Sequence, residues 1–214
     1  MDNQKKSNSK SIRVGISIGD INGIGPEVVM KALSDNRILQ DCTPVIYASS
    51  KVLNFHKKAI RLHDFNYLSI KSADEIKHRK INVVAIWEDE IQFDIGKATQ
   101  NGGKYALESL DQATKDLASG KIDVLVTAPI SKEAMGKTGF QFPGHTEYLA
   151  DMAGQDEALM LMISTTLKVG LVTSHIPLKD VPTVVTTEKI FEKIRFREIK
   201  NRQYLFIRIH SRND

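Results

Sequence analysis

Short apolar runs of strand character alternate along the chain with stretches of helical periodicity. Ile12 to Ile18 (IRVGISI) reads as a strand; a glycine-rich turn follows, and then a helix from Pro26 through Leu33. Pro26 suits the first helical turn, where its missing N–H is not needed, and Glu27 complements the positive end of the helix dipole. Val45 to Ala48 and Val83 to Trp87 are further strands. Between Gly103 and Gly120 the apolar residues Ala106, Leu110, Ala113 and Leu117 recur at spacings of 4, 3 and 4, the signature of a helix with one buried stripe. Ile122 to Val126 follows as a buried strand, and Leu159 to Ile163 and Val169 to Thr173 supply two more. This alternation predicts an α/β fold. There is no internal repeat and no Gly/Ser-rich or Pro-rich linker, so a domain boundary has to be a compact crossing, least forced near Ala128 to Lys132.

Composition narrows the class. The 214 residues, 41% of them hydrophobic, can bury one large core or two small ones. No stretch approaches the roughly 20 apolar residues needed to span a bilayer. The lysine-containing lead MDNQKKSNSKS has no apolar run behind it to make a signal peptide, so a cytoplasmic protein with no membrane partner is expected. The single cysteine, Cys42, excludes an intramolecular disulfide and a thiolate cluster, and reads as a small buried or half-buried residue. The net charge of +4 is carried entirely by residues 195–214, where six Arg or Lys face two acids. A basic terminus without interleaved aromatics or a helix-turn-helix does not argue for nucleic acid.

Three constellations carry candidate chemistry. Gly19-Asp20-Ile21-Asn22-Gly23-Ile24-Gly25-Pro26-Glu27 lies between a strand and a helix, where its glycines permit close backbone approach and the helix start favours an anion. It is neither a Walker loop nor a Rossmann fingerprint, because no Gly-Lys-Ser/Thr ends it and Val28 stands where a third glycine is required; a plain tight βα turn is the competing reading. In Pro143-Gly144-His145-Thr146-Glu147, Thr146 could cap a helix starting at Glu147. His145 would then sit beside a positive helix end as an anion clamp, or else be an exposed residue of a capping loop. Thr173-Ser174-His175-Ile176-Pro177 ends an apolar strand, a placement that suits a metal ligand or an acid–base group, although one His holds no metal alone. Lys132 in Thr127-Ala-Pro-Ile-Ser-Lys132 could approach an anionic substrate. His56, His63 and His78 stand among charged residues and read as solvated.

Together, the glycine loop, Thr127-Ala-Pro-Ile-Ser-Lys132, Gly144-His145-Thr146-Glu147-Tyr148-Leu149 and His175-Ile-Pro-Leu178 have the order and spacing of a known family: the chain resembles the 4-hydroxythreonine-4-phosphate dehydrogenases from about Ile12 to Ile194. The resemblance implies oxidation of 4-phosphooxy-L-threonine with NAD, followed by loss of CO2, in pyridoxal 5'-phosphate biosynthesis. A sibling enzyme for a phosphorylated sugar acid such as 4-phosphothreonate, or a non-catalytic remnant, are the alternatives. It also implies a two-domain fold similar to the isocitrate and isopropylmalate dehydrogenases rather than a Rossmann domain. In this reading residues 12–130 form the first α/β domain and 131–195 part of a second, dimer-forming one. His145 and Thr146 are then expected to bind substrate, and His175 to be one of three histidines on a divalent metal (zinc, cobalt or magnesium) at a homodimer interface. The family's Asn-Pro-His-Ala-Gly motif has no counterpart here, and His210 does not match it. The change of composition from about Phe196 suggests a frameshift or premature stop that removes the C-terminal part, with negligible dehydrogenase activity expected of the 214-residue form.

Overall fold

The computed structural model describes residues 11–155 and 158–198. Within them the chain divides into two compact units, the first ending at His145 and the second beginning at Thr146. The turn at Ala128–Lys132, where the sequence suggested a domain crossing, lies inside the first. The basic stretch beyond Glu198 lies outside the described residues.

The first unit is built on a five-stranded parallel sheet. Its strands are β1 (Ile12–Ser17), β2 (Cys42–Ala48), β3 (Leu68–Ile70), β4 (Asn82–Ala85) and β5 (Val124–Thr127), in the order β3-β4-β2-β1-β5. The helices are α1 (Gly25–Ala32), the single turn α2 (Ile38–Asp41), α3 (Ser50–Ala59), α4 (Gln100–Ala118) and α5 (Lys132–Gly136). Crossovers between parallel strands are right-handed, so reversing lateral direction places the helix on the opposite face. The connection through α1 runs from β1 to β2, whereas α4 carries the chain back past β1 to β5.

Side-chain alternation agrees with this layering. Ile16, Ile46 and Val83 join Val29 and Met30 of α1, Leu33 just after it, and Val52 and Leu53 of α3 in one core. Tyr47, one residue along, faces the other way, and its hydroxyl donates to the Asp116 carboxylate of α4 at 2.9 Å. Where β1 and β2 part, Ser109 of α4 fills the gap: its hydroxyl accepts from the Ile18 amide (2.9 Å) and donates to the Tyr47 carbonyl (2.7 Å). Burial and the adjacent Asp116 carboxylate push the Tyr47 phenol far above its ordinary range, so it stays a donor. Cys42 is half-buried at the start of β2, and burial raises its thiol.

The second unit contains most of α6 (His145–Met152), an antiparallel pair β6 (Leu161–Ile163) and β7 (Lys168–Gly170), a single turn α7 (Val181–Val184), and α8 (Thr187–Glu198). Both expected strands in this region are shorter than the apolar runs, and the second ends at Gly170 rather than Thr173. No helix among the described residues is long and apolar enough to cross a membrane.

Candidate functional site

In open parallel sheets, ligands bind outside the carboxyl ends of the strands where the strand order reverses direction. Here that point is β1, flanked by β2 on one side and β5 on the other. The glycine loop leaves the carboxyl end of β1, and the Thr127–Lys132 turn leaves that of β5. The two are brought into contact: the Ala128 amide donates to the Ser17 carbonyl and the Asp20 amide to the Pro129 carbonyl, both at 3.1 Å. Gly19 sits at φ +73°, and a Cβ there would lie 2.2 Å from the Pro129 carbonyl oxygen. A side chain at this position would force the two loops apart.

The loop is covered rather than open. Gly19 through Asn22 are buried, and Asn22 is only 2% exposed. Residues 88–99, between β4 and α4, lie over it. The Asn22 carbonyl accepts from the Gly96 amide (2.8 Å), its Oδ1 accepts from the Asp94 amide (2.8 Å), and its Nδ2 donates to Thr99 Oγ1 (2.9 Å). Thr99 in turn caps α4 by accepting from the Gly102 amide at 3.0 Å. The tight-turn reading of the glycine loop is the one this geometry favours, since the amides of Asp20, Asn22 and Gly23 and the side chain of Asn22 are spent on protein partners.

Asp20 and His56 are the perturbed titratable groups here. Asp20 is 6% exposed, and one oxygen accepts from the Asn22 amide at 2.9 Å. Burial raises its carboxyl above the usual range, and that amide offsets part of the rise. His56, expected to be solvated, is 5% exposed, whereas His63 and His78 are exposed as anticipated. Its Nε2–H donates to the Ile21 carbonyl at 2.7 Å, and its ring lies edge-on to Phe55 and Phe93, which stack on each other at 3.9 Å. Burial lowers the His56 pKa, partly opposed by the Ile21 carbonyl and the Glu27 charge. The correction has a sequence signal: Val52, Leu53 and His56 share one face of α3, so helical period overrides the charge of neighbouring Lys57 and Lys58.

The other candidates fall as follows. Lys132 is exposed and opens α5, which Ser131 caps by accepting from the Ala134 amide at 3.2 Å. His145 is the first residue of α6 and is buried, at 6% exposure, rather than standing in an exposed loop. Thr146 is the second helical residue and half-buried; α6 starts two residues before Glu147, which removes Thr146 from the capping position. His175 is exposed, five residues beyond the end of β7, in a bend with φ +57°. It does not stand at the mouth of a sheet, because the strand ends before it arrives. No three His, Cys, Asp or Glu side chains among the described residues are grouped so as to hold a metal ion.

The family model described as "Pyridoxal phosphate biosynthetic protein PdxA" matches residues 40–208. The chain belongs to the PdxA family. Among PdxA-like relatives, the 4-hydroxythreonine-4-phosphate dehydrogenase of Bacteroides thetaiotaomicron is 41% identical over 184 residues, covering 86% of this chain and 50% of the relative. That of Sulfurihydrogenibium sp. is 38% identical over 194 residues, covering 89% and 59%. A Clostridium botulinum protein provisionally named D-threonate 4-phosphate dehydrogenase is 32% identical, covering 87% and 56%. The crystal structure of a 4-hydroxythreonine-4-phosphate dehydrogenase from Burkholderia phymatum superposes with a TM-score of 0.77 at 28% identity, over 86% of this chain and 56% of that one. The α/β fold with a parallel sheet is thus that of PdxA structures, and the chain spans between half and three-fifths of the length of these relatives.

Proposed function

We propose that this PdxA-family protein belongs to an NAD-dependent oxidation of 4-phosphooxy-L-threonine, followed by decarboxylation, in pyridoxal 5'-phosphate biosynthesis. The observation that carries the reading is the family match over residues 40–208, joined by relatives bearing the dehydrogenase name. NAD would supply the hydride acceptor. For the chain's own residues, His145 and Thr146 in the first turn of α6 are assigned to the phosphorylated substrate. The positive dipole of a helix start favours an anion there, and the Thr146 hydroxyl adds a hydrogen-bonding group. Lys132 is a cationic candidate for the same class of ligand.

The two-domain architecture similar to isocitrate dehydrogenase and assembly as a homodimer belong to the same proposal. His175 is proposed as a ligand for a divalent metal only in company with groups outside the described residues, and no step is routed through it. A second reading, oxidation of a phosphorylated sugar acid, is favoured by the Clostridium botulinum relative.

The test pairs turnover with binding, because a chain of low turnover can still bind its substrate. NADH formation and calorimetric binding are measured with 4-phosphooxy-L-threonine and with D-threonate 4-phosphate. Preference for the first supports the proposal, and preference for the second selects the sibling activity. If neither acid binds at millimolar concentration, both readings fail. His145→Ala is expected to weaken binding of the preferred acid about tenfold or more, as for one lost charge-assisted contact.

A further inference from the structure

The segment 88–99 is held down over the β1–α1 loop by four anchors. Lys51 Nζ donates to the carbonyls of Glu88 (2.8 Å) and Asp89 (2.9 Å), and Lys137 Nζ donates to that of Ala98 (2.6 Å); all three contacts are exposed. Phe93 stacks on Phe55, itself 37% exposed. The fourth anchor is Asn22, the polar one buried from water, and it reaches the segment at Asp94, Gly96 and Thr99 together. Exposed lysine contacts compete with water and add little, whereas a buried amide that loses its partners leaves donors and acceptors unsatisfied. Opening at the lysines is therefore cheap, and among the polar anchors it is Asn22 that resists release, beside the packing of Ile91 and Phe93 against the core.

We propose that Asn22 is a positioning residue that latches residues 88–99 as a strap across the carboxyl ends of β1 and β2. One side chain ties the glycine loop, the strap and the capping threonine of α4, so these three move as a unit or not at all. The geometry around it leaves no slack. A Cβ on Gly102 would lie 2.6 Å from Asp20 Oδ1 and 3.1 Å from Asn22 Nδ2, so the α4 start is packed directly against the latch. Access to the crevice at the strand-order reversal is set by how often Asn22 releases Asp94 and Thr99. The role in catalysis rests on the activity proposed above; the latch itself does not.

Amide hydrogen exchange on the intact chain reads the latch directly. In Asn22→Ala the amides of Asp94 and Gly96 are expected to exchange at least about tenfold faster than the accompanying change at Ile16 and Ile46 in the sheet core. Asn22→Asp keeps an acceptor for the Asp94 amide and loses the donor to Thr99, so Asp94 protection should return toward the wild-type value. Strap and core amides accelerating by the same factor, or no recovery at Asp94 in Asn22→Asp, overturns the latch and leaves Asn22 a general stability residue. If the wild-type chain turns over, loosening the strap should shift KM for the phosphorylated acid more than kcat. If neither acid binds to the wild type, the proposed activity falls, and the exchange comparison still decides the role of Asn22.

Discussion

At the scale of single residues, the buried polar groups of the first unit make opposite predictions. Burial lowers the pKa of His56 below its ordinary 6.5, so the fold prefers the neutral ring. A group whose folded pKa is depressed contributes stability above its unfolded pKa and loses it as pH falls through the folded one. The protein should therefore lose thermal stability as pH drops below about 6.5, and His56→Gln, which keeps an N–H for the Ile21 carbonyl, should flatten that part of the profile. A Tm-against-pH series from 7 to 5 on both proteins decides it; unchanged slopes would assign the dependence elsewhere. Ser17 is the contrasting case. Its hydroxyl is buried without a hydrogen-bond partner among the described residues. Removing an unsatisfied hydroxyl costs nothing in lost bonds, so Ser17→Ala should be neutral or stabilise by up to about 1 kcal/mol in chemical denaturation.

At the scale of elements, two helical glycines, one in α4 and one in α5, show how packing outweighs propensity. Gly103 sits in the first turns of α4, and alanine there gains about 1 kcal/mol of helix propensity. A Cβ at Gly103 would also lie 2.1 Å from the Ala134 carbonyl oxygen of α5, a backbone atom that cannot rotate away. Overpacking of this kind costs about 1–3 kcal/mol, so Gly103→Ala should destabilise on balance. Gly136 in α5 meets nothing within 4 Å and has no positive φ, so Gly136→Ala should stabilise by about 0.5–1 kcal/mol. Opposite signs for the two changes in urea titrations are the expected result. The same contrast explains what could be read from the sequence. The strong stripe Ala106, Leu110, Ala113, Leu117 located α4, and the apolar runs located β1, β2, β4 and β5 within a few residues. The three-residue β3 and the five-residue α5 carry too few positions to show a period, and they are fixed by what packs against them. Within the candidate site, the glycine loop and the Thr127–Lys132 turn were legible as loops. Their contact through Asp20 and Pro129, and the part played by Asn22, depend on residues about 70 to 110 positions apart, and local pattern holds no record of such pairings.

At the scale of the whole molecule, the two units differ in how much of their apolar surface is withdrawn from water. The first buries a core that joins β1, β2 and β4 to α1 and α3, and Leu110, Ala113 and Leu117 of α4 are buried as well. In the second, Leu161, Met162, Ile163, Leu167 and Val169 along the β6–β7 pair are all at least 39% exposed, as are Ile190, Phe191 and Ile194 of α8. A two-stranded pair without a covered face is marginal in water, because its few ladder hydrogen bonds do not offset the chain entropy of ordering it. Its opening free energy should therefore fall well below that of the parallel sheet, and local opening tracks that difference. Limited proteolysis at native pH should cut first between residues 158 and 198 and leave a resistant core extending to about His145. Loss of β1, β2 or α4 peptides ahead of the β6–β7 region would show that the second unit is the more stable one. If a phosphorylated acid binds at the α6 start, cleavage close after His145 should slow in its presence while cleavage near β6 and β7 should not, which separates stabilisation of the site from stabilisation of the unit.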